Sequence, residues 1–254
     1  MSNLRFYHAL PLVAGNTVKL SDNAASHATR VLRLGVSDEI ILFNGDKHDY
    51  ICAIISIKKN EVLAIVKSHL TLLNESPLHI TLLQGISSND RMDFTIQKAV
   101  ELGVSAIVPI FTERSQVKLT HERAEKRQEH WQNVVHSACE QSGRALVPIV
   151  AMPIQLSAWL AANNSTAKSH INQALTPLTR LLLDPVGATR LAQIPKPAGQ
   201  IQLLVGAEGG LAKSEIELAH MQGFQSISLG PRILRTETAA LTAIASMQTL
   251  WGDF

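Results

Sequence analysis

With 254 residues, 46% hydrophobic and 17% charged, the chain can form one large domain or two smaller ones, each with a proper core. Two widely spaced cysteines, Cys52 and Cys139, argue against a secreted disulfide framework or a zinc site and for a reducing cytoplasm. The stretch Met1 to His8 lacks a signal-peptide core, no apolar run approaches the ~20 residues that span a bilayer, and a formal charge of +2 makes no case for nucleic acid by itself.

Residues up to about Leu73 read as β-rich. Ala24 to Leu34 is the exception, a helix carrying His27, Arg30 and Arg33 on or near its polar side. Glu39 to Phe43 reads as a strand, followed by the turn signal Asn44-Gly45-Asp46 and further apolar runs at Tyr50–Ile55 and Val62–Val66, which together suggest a small sheet or barrel. Thr71 to Pro77 carries turn chemistry without periodicity, so the expected domains are 1–73 and 74–254. Beyond that point strands and helices alternate. Leu78–Leu83 is a strand; a helix from about Asp90 places Met92, Ile96, Ala99 and Val100 on one face and stops at Gly103; Val104–Ile110 is the next strand. His121 to Ser142 reads as one long helix, charged in its first half, with an apolar stripe through Trp131, Val134, Val135 and Ala138. Leu181–Leu183, Ile201–Val205 and Ser226–Leu229 are short runs of the kind found in buried parallel strands, and Thr236 to Trp251 is an alanine-rich helix. The expected class is α/β with a mainly parallel sheet.

Three loops after expected strands carry unusual residues, and ligands of open parallel sheets sit at such loops. They are Gln84 to Arg91, Val205 to Leu211, and Leu229 to Ala239. The second has three glycines in five positions, which lets a ligand touch bare backbone amides. Ser214 with Glu217 fits a capping box for the helix that follows it. Neither the dinucleotide spacing nor a Walker loop is present. The third loop sets Arg232, Arg235 and Glu237 around the turn into the last helix. Taken alone, each loop reads as readily as a tight turn or a surface ion pair; two of them joined by one helix favour a ligand pocket. Metal-binding His/Cys pairs and a nucleophile elbow are missing, and His136 reads as a packing or surface residue. The basic residues Arg114, Lys118, Arg123, Lys126 and Arg127 alternate with Glu113, Glu122 and Glu125, as on a solvated face.

The chain closely resembles the ribosomal RNA small subunit methyltransferase E family, which makes N3-methyluridine in small-subunit ribosomal RNA. The matching pieces run from Arg5-Phe6-Tyr7 through His27 and Val31-Leu32-Arg33, Leu42 to Gly45, Lys98 to Gly103, Arg114-Ser115 and Glu140 to Arg144. The most specific are Gly206-Ala207-Glu208-Gly209-Gly210 and Leu229 to Ala239; the family's usual proline is Ala207 here, a change that removes no functional group. The resemblance implies a SPOUT-class trefoil-knotted domain preceded by a PUA-like RNA-binding barrel, and a homodimer in the cytoplasm, without metal or membrane. It implies S-adenosylmethionine as cofactor, held by Val205, Gly206, Glu208, Gly209, Gly210, Leu229, Gly230, Ile233, Leu234, Thr238 and Ala239. Arg235 then stabilises the charge that develops on uracil, with Glu237 holding that arginine or assisting the proton. Arg5, Arg30, Arg33, Arg91, Arg114, Arg144 and Arg232 are the expected RNA contacts. The rival readings are a 2′-O-ribose methyltransferase of the same class and a non-catalytic RNA-binding assembly factor.

Overall fold

The structure, a computed structural model, describes residues 4–59, 61–115, 117, 120–163, 177–186 and 189–254. The chain packs into two compact units: residues up to Glu75 with His136–Val147, and Ser76–Val135 with Pro148–Phe254. Chain order and packing thus part company at one place, because residues 136–147 belong with the amino-terminal unit.

That unit is built on five strands, β1 (Arg5–Tyr7), β2 (Thr17–Lys19), β3 (Glu39–Phe43), β4 (His48–Lys58) and β5 (Glu61–Thr71), in the order β1-β3-β4-β5-β2. Only β1–β3 is parallel. The expected turn joins β3 to β4: the Asn44 side chain accepts from the Asp46 amide at 3.2 Å, and Gly45 takes a φ of 97°. Two register shifts along β4–β5 bend the ladder, and β1 and β2 are the outer strands of this order among the described residues. On β5, Val62, Ala64 and Val66 are buried while Leu63 and Ile65 are partly exposed, the period of a one-sided strand. They join Phe6, Leu20, Ile40, Leu42 and Ile54 in the core.

The helix expected over 24–34 is shorter and less regular. Helix α1 (Asp22–Ser26) is capped by the Ser21 hydroxyl, which accepts from the Ala24 amide, and continues as a π-helical turn over His27–Val31. Arg33, with a φ of 56°, leaves the right-handed region and ends it, which allows Leu32 and Leu34 to turn back onto the core.

Two histidines of this unit are held neutral. His136 stacks on Tyr7 with ring centroids 3.7 Å apart, and burial pushes its pKa down to about 4; burial lowers that of His8 as well. Both protonate more readily once unfolded, so their contribution is complete above pH ~6.5 and is lost as the pH falls toward the folded-state values. The urea midpoint is expected to drop between pH 6.5 and 4.5, and less steeply in His136→Gln. An equal drop in that variant would assign the acid sensitivity to other groups.

The second unit carries a wholly parallel sheet of β6 (His79–Gly85), β7 (Ala106–Phe111), β8 (Ile149–Val150), β9 (Ile154–Gln155), β10 (Leu178–Leu183), β11 (Thr189–Arg190), β12 (Gln200–Val205) and β13 (Gln225–Ser228). The order is β11-β13-β10-β12-β6-β7-β8, with β9 also on β7. The α/β class with a parallel sheet is as expected. Its helices are α2 (Asn89–Glu101), α4 (Leu156–Ala162), α5 (Lys213–Met221), α6 (Thr236–Trp251) and the first part of α3 (His121–Ser142), whose last residues, from His136, belong to the amino-terminal unit. Central strands read as continuous apolar runs because both faces are covered: Leu82, Leu181, Leu203 and Leu204 are fully buried. The α2 stripe of Met92, Ile96, Ala99 and Val100 is fully buried too, and Gly103, with a φ of 86°, follows the helix end. Helix α6 packs on α2, and its Ala240, Ala243, Ile244 and Met247 are fully buried. Since β6, β10, β12 and β13 all run the same way in register, their exit loops gather at one edge of the sheet.

Candidate active site

The loops after β10, β12 and β13 and the start of α6 enclose a cleft of about 660 Å³, within the usual range for small-ligand sites. Val205, Gly206, Glu208, Gly209, Gly210, Leu229, Gly230, Ile233, Leu234, Arg235, Glu237 and Ala239 all line it, with Arg91, Arg114 and Arg232. Thr238 is exposed and does not. Leu183-Asp184-Pro185-Val186, at the end of β10, lines it as well and was not foreseen. The signal was present, because Asp-Pro directly after an apolar run marks a turn at a strand's carboxyl end.

The glycine loop is shaped by close backbone approach. A Cβ on Gly206 would lie 2.8 Å from the carbonyl carbon of Gly210, and one on Gly85 would collide with the Ala207 amide. The loop closes on itself through the Gly210 amide, which donates to the Ala207 carbonyl at 2.8 Å. Three further contacts fasten it. The Glu208 carboxylate accepts from the Ser88 amide at 2.9 Å and pairs with Arg91 at 3.4 Å, while the Arg114 guanidinium donates to the Gly209 carbonyl at 3.1 Å. Burial pushes the Glu208 carboxyl up, but the Ser88 amide, its own amide, the Ser88 hydroxyl and Arg91 together outweigh it and hold its pKa below the usual carboxylate range. The Glu208 side chain is therefore an anchor of the loop. Arg91 and Arg114, expected to contact RNA, are engaged in holding that loop.

The helix after the loop begins differently from expectation. Glu215, not Glu217, reaches back to the Ala212 amide at 2.8 Å, and the Ser214 hydroxyl donates to the Glu113 carboxylate at 3.2 Å. Glu217 instead faces Lys213 at 3.9 Å. Only the glutamate half of a capping box forms, because the chain turns into α5 at Ala212, two residues before Ser214, and an alanine side chain cannot cap.

At the third loop, Gly230 adopts a φ of 153°, a conformation that L side chains rarely take. Arg235 is the N-cap residue of α6, and its side chain makes no capping bond. Arg232 and Arg235 are exposed and have no ion-pair partner among the described residues. Glu237 lies one turn into the dipole-positive end of α6, half-buried, with Oε2 sequestered from solvent and without a hydrogen bond. The expected Arg235–Glu237 pair is not formed, so both residues line the cleft without neutralising one another. Between them Thr236 is buried; its hydroxyl donates to the Gly206 carbonyl and accepts from Gln84 at 2.9 Å.

The remaining expected RNA contacts lie in the amino-terminal unit and divide sharply. Arg5 is 3% exposed: it pairs with Asp49 at 3.1 Å, donates to the Cys139 carbonyl at 2.8 Å and lies over the Phe43 ring. Arg144, also buried, pairs with Glu75 at 2.8 Å. Both guanidiniums are enclosed by their own unit and are not presented to RNA. Arg30 and Arg33 are exposed and available. Lys118 lies outside the described residues. Among the described residues no group of three His, Cys, Asp or Glu is placed to hold a metal, and no helix is long and apolar enough to cross a membrane.

Residues 74–248 match the model of an RNA methyltransferase domain, and residues 20–67 that of an RNA methyltransferase PUA domain. Ribosomal RNA small subunit methyltransferase E of Buchnera aphidicola is 35% identical over 92% of this chain and 88% of its own. The chain belongs to the ribosomal RNA small subunit methyltransferase E family. The family likeness extends to structure. The Neisseria gonorrhoeae member, crystallised bound to S-adenosyl methionine, superposes with a TM-score of 0.87 at 45% identity, over 98% of both chains. Lpg2936 of Legionella pneumophila, in complex with the same cofactor, superposes with a TM-score of 0.90 at 37% identity over the full length of both.

Proposed function

We propose that this chain methylates N3 of a uridine in small-subunit ribosomal RNA, using S-adenosylmethionine, and that it does so as a homodimer of knotted SPOUT-class domains. The domain over 74–254 holds the cofactor and the domain over 1–73 contacts RNA through Arg30 and Arg33, with Arg232 at the cleft as a further candidate phosphate partner. The observation that carries this reading is the composition of the cleft: a glycine loop with room for a ligand against its backbone, apolar walls and the Glu237 carboxylate. A cationic ligand without phosphates fits that set, whereas the phosphate-binding spacings are missing.

When bound, S-adenosylmethionine supplies a methyl group already activated on a sulfonium. The chain's own residues do the rest. Val205, Gly206, Gly209 and Gly210 present backbone to the cofactor, Leu229 and Leu234 give it apolar walls, and Gly230 with Ala239 leave it room. Arg235 places positive charge where the uracil oxygens become negative as N3 loses its proton. Glu237 is a carboxylate within the same cleft, suited to take that proton directly or through water.

The test is transfer from labelled S-adenosylmethionine to small subunits lacking the modification, followed by nucleoside analysis. Labelled N3-methyluridine is expected. Label on a ribose would replace this reading with 2′-O-methylation, and absence of label despite cofactor binding would leave an RNA-binding assembly factor.

A further inference from the structure

Gln84 is fully buried at the carboxyl end of β6, where its partners in the sheet are Val205 and Pro109. Burying a carboxamide costs free energy unless its groups are paired, and here only the NH₂ is paired: Oε1 is buried without a hydrogen-bond partner among the described residues. The NH₂ donates to the Gly85 carbonyl at 3.1 Å and to the Thr236 hydroxyl at 2.9 Å, and that hydroxyl donates in turn to the Gly206 carbonyl. Because the amide can only donate through nitrogen, the hydroxyl must accept from Gln84 and donate to Gly206. The relay thereby joins the first residue of α6 to the first residue of the glycine loop across 30 residues of chain.

Thr236 stands between Arg235 and Glu237; the Arg235 side chain makes no capping bond, and among the described residues the Glu237 Oε2 has no hydrogen-bond partner. The glycine loop, in contrast, retains three other fastenings, from Ser88, Arg91 and Arg114. Breaking the relay therefore frees the end of α6 much more than it frees the loop.

We propose that Gln84 and Thr236 are positioning residues that set Arg235 and Glu237 in register with the cofactor loop. The inference rests on the function proposed above. Gln84 stands behind the cleft lining and Thr236 is buried in its wall; their effect runs through the placement of the two side chains that flank Thr236.

The test uses the full-length protein and measures turnover on small subunits alongside S-adenosylmethionine affinity by calorimetry. Thr236→Val, which keeps the shape but not the hydroxyl, is expected to lower kcat about 10- to 100-fold, the scale of a small misplacement of reacting groups, with cofactor affinity little changed. Thr236→Ser is expected to restore most of that loss. Gln84→Met, which removes the donor by a second route, is expected to lower kcat similarly, and the double variant to fall no further than the worse single one. Undiminished turnover in Thr236→Val and Gln84→Met would overturn the proposal. So would a parallel loss of kcat and affinity, or a Ser variant as impaired as the Val one, since either marks a merely structural contact. An inactive parent protein would instead reject the proposed reaction itself.

Discussion

Arg235→Ala is expected to bind S-adenosylmethionine normally and yet turn over about 10²–10³-fold more slowly, the usual loss when one donor aimed at developing charge is removed. The reasoning is local. The Arg235 side chain is exposed at the cleft and serves neither as a helix cap nor as an ion-pair partner, so its removal leaves no buried group unsatisfied. Any deficit must then appear in the chemical step or in binding of the RNA, and not in folding. Arg235→Lys should recover only part of the rate, because an ammonium is a point charge that cannot present two parallel donors to a planar base edge. Single-turnover rates at saturating cofactor and RNA separate these outcomes. An alanine variant with the parent's rate would remove Arg235 from the mechanism and leave Glu237 to be tested by itself.

Arg5→Ala has the opposite signature: it should lower stability by about 3–5 kcal/mol, as expected when one member of a buried pair is deleted and the other is left charged. Asp49 would lose both contacts to the guanidinium, and the Cys139 carbonyl would lose its donor. Urea unfolding measures the loss. The salt dependence of RNA binding by the remaining folded protein should keep its slope, since no phosphate contact is removed. A stable Arg5→Ala protein whose slope falls by about one charge would return Arg5 to the RNA interface.

These two arginines mark the boundary of what the sequence discloses. Long periodic elements were legible: the strand at 39–43 and the helices at 121–142 and 236–251 have the expected ends, because burial imposes periods of two and 3.6 on such stretches. Two-residue strands such as β8, β9 and β11 contain too few positions to carry a period, and α4 is only two turns long. The glycine loop and the Arg235–Glu237 turn stood out through residue type and their place after strands. The fates of Arg5, Arg144, Arg91 and Arg114 did not, because each depends on a partner remote in the chain: Asp49 and Cys139 for Arg5, Glu75 for Arg144, Glu208 for Arg91 and Gly209 for Arg114. An arginine reads as solvent-facing until its carboxylate is located in space.

The membership of residues 136–147 in the amino-terminal unit bears on the order in which the protein can be completed during synthesis. A nascent chain that has exposed only its first 75 residues holds the five strands but lacks the Cys139 carbonyl that receives Arg5 and the Arg144 that pairs with Glu75. The unit is finished only after residues 76–135 of the other unit have emerged, so its completion waits on a long stretch of chain that is not its own. For the same reason a gene cut near codon 73 yields two incomplete pieces, one missing a buried pair and the other carrying an orphaned apolar segment around Cys139 and Ala145.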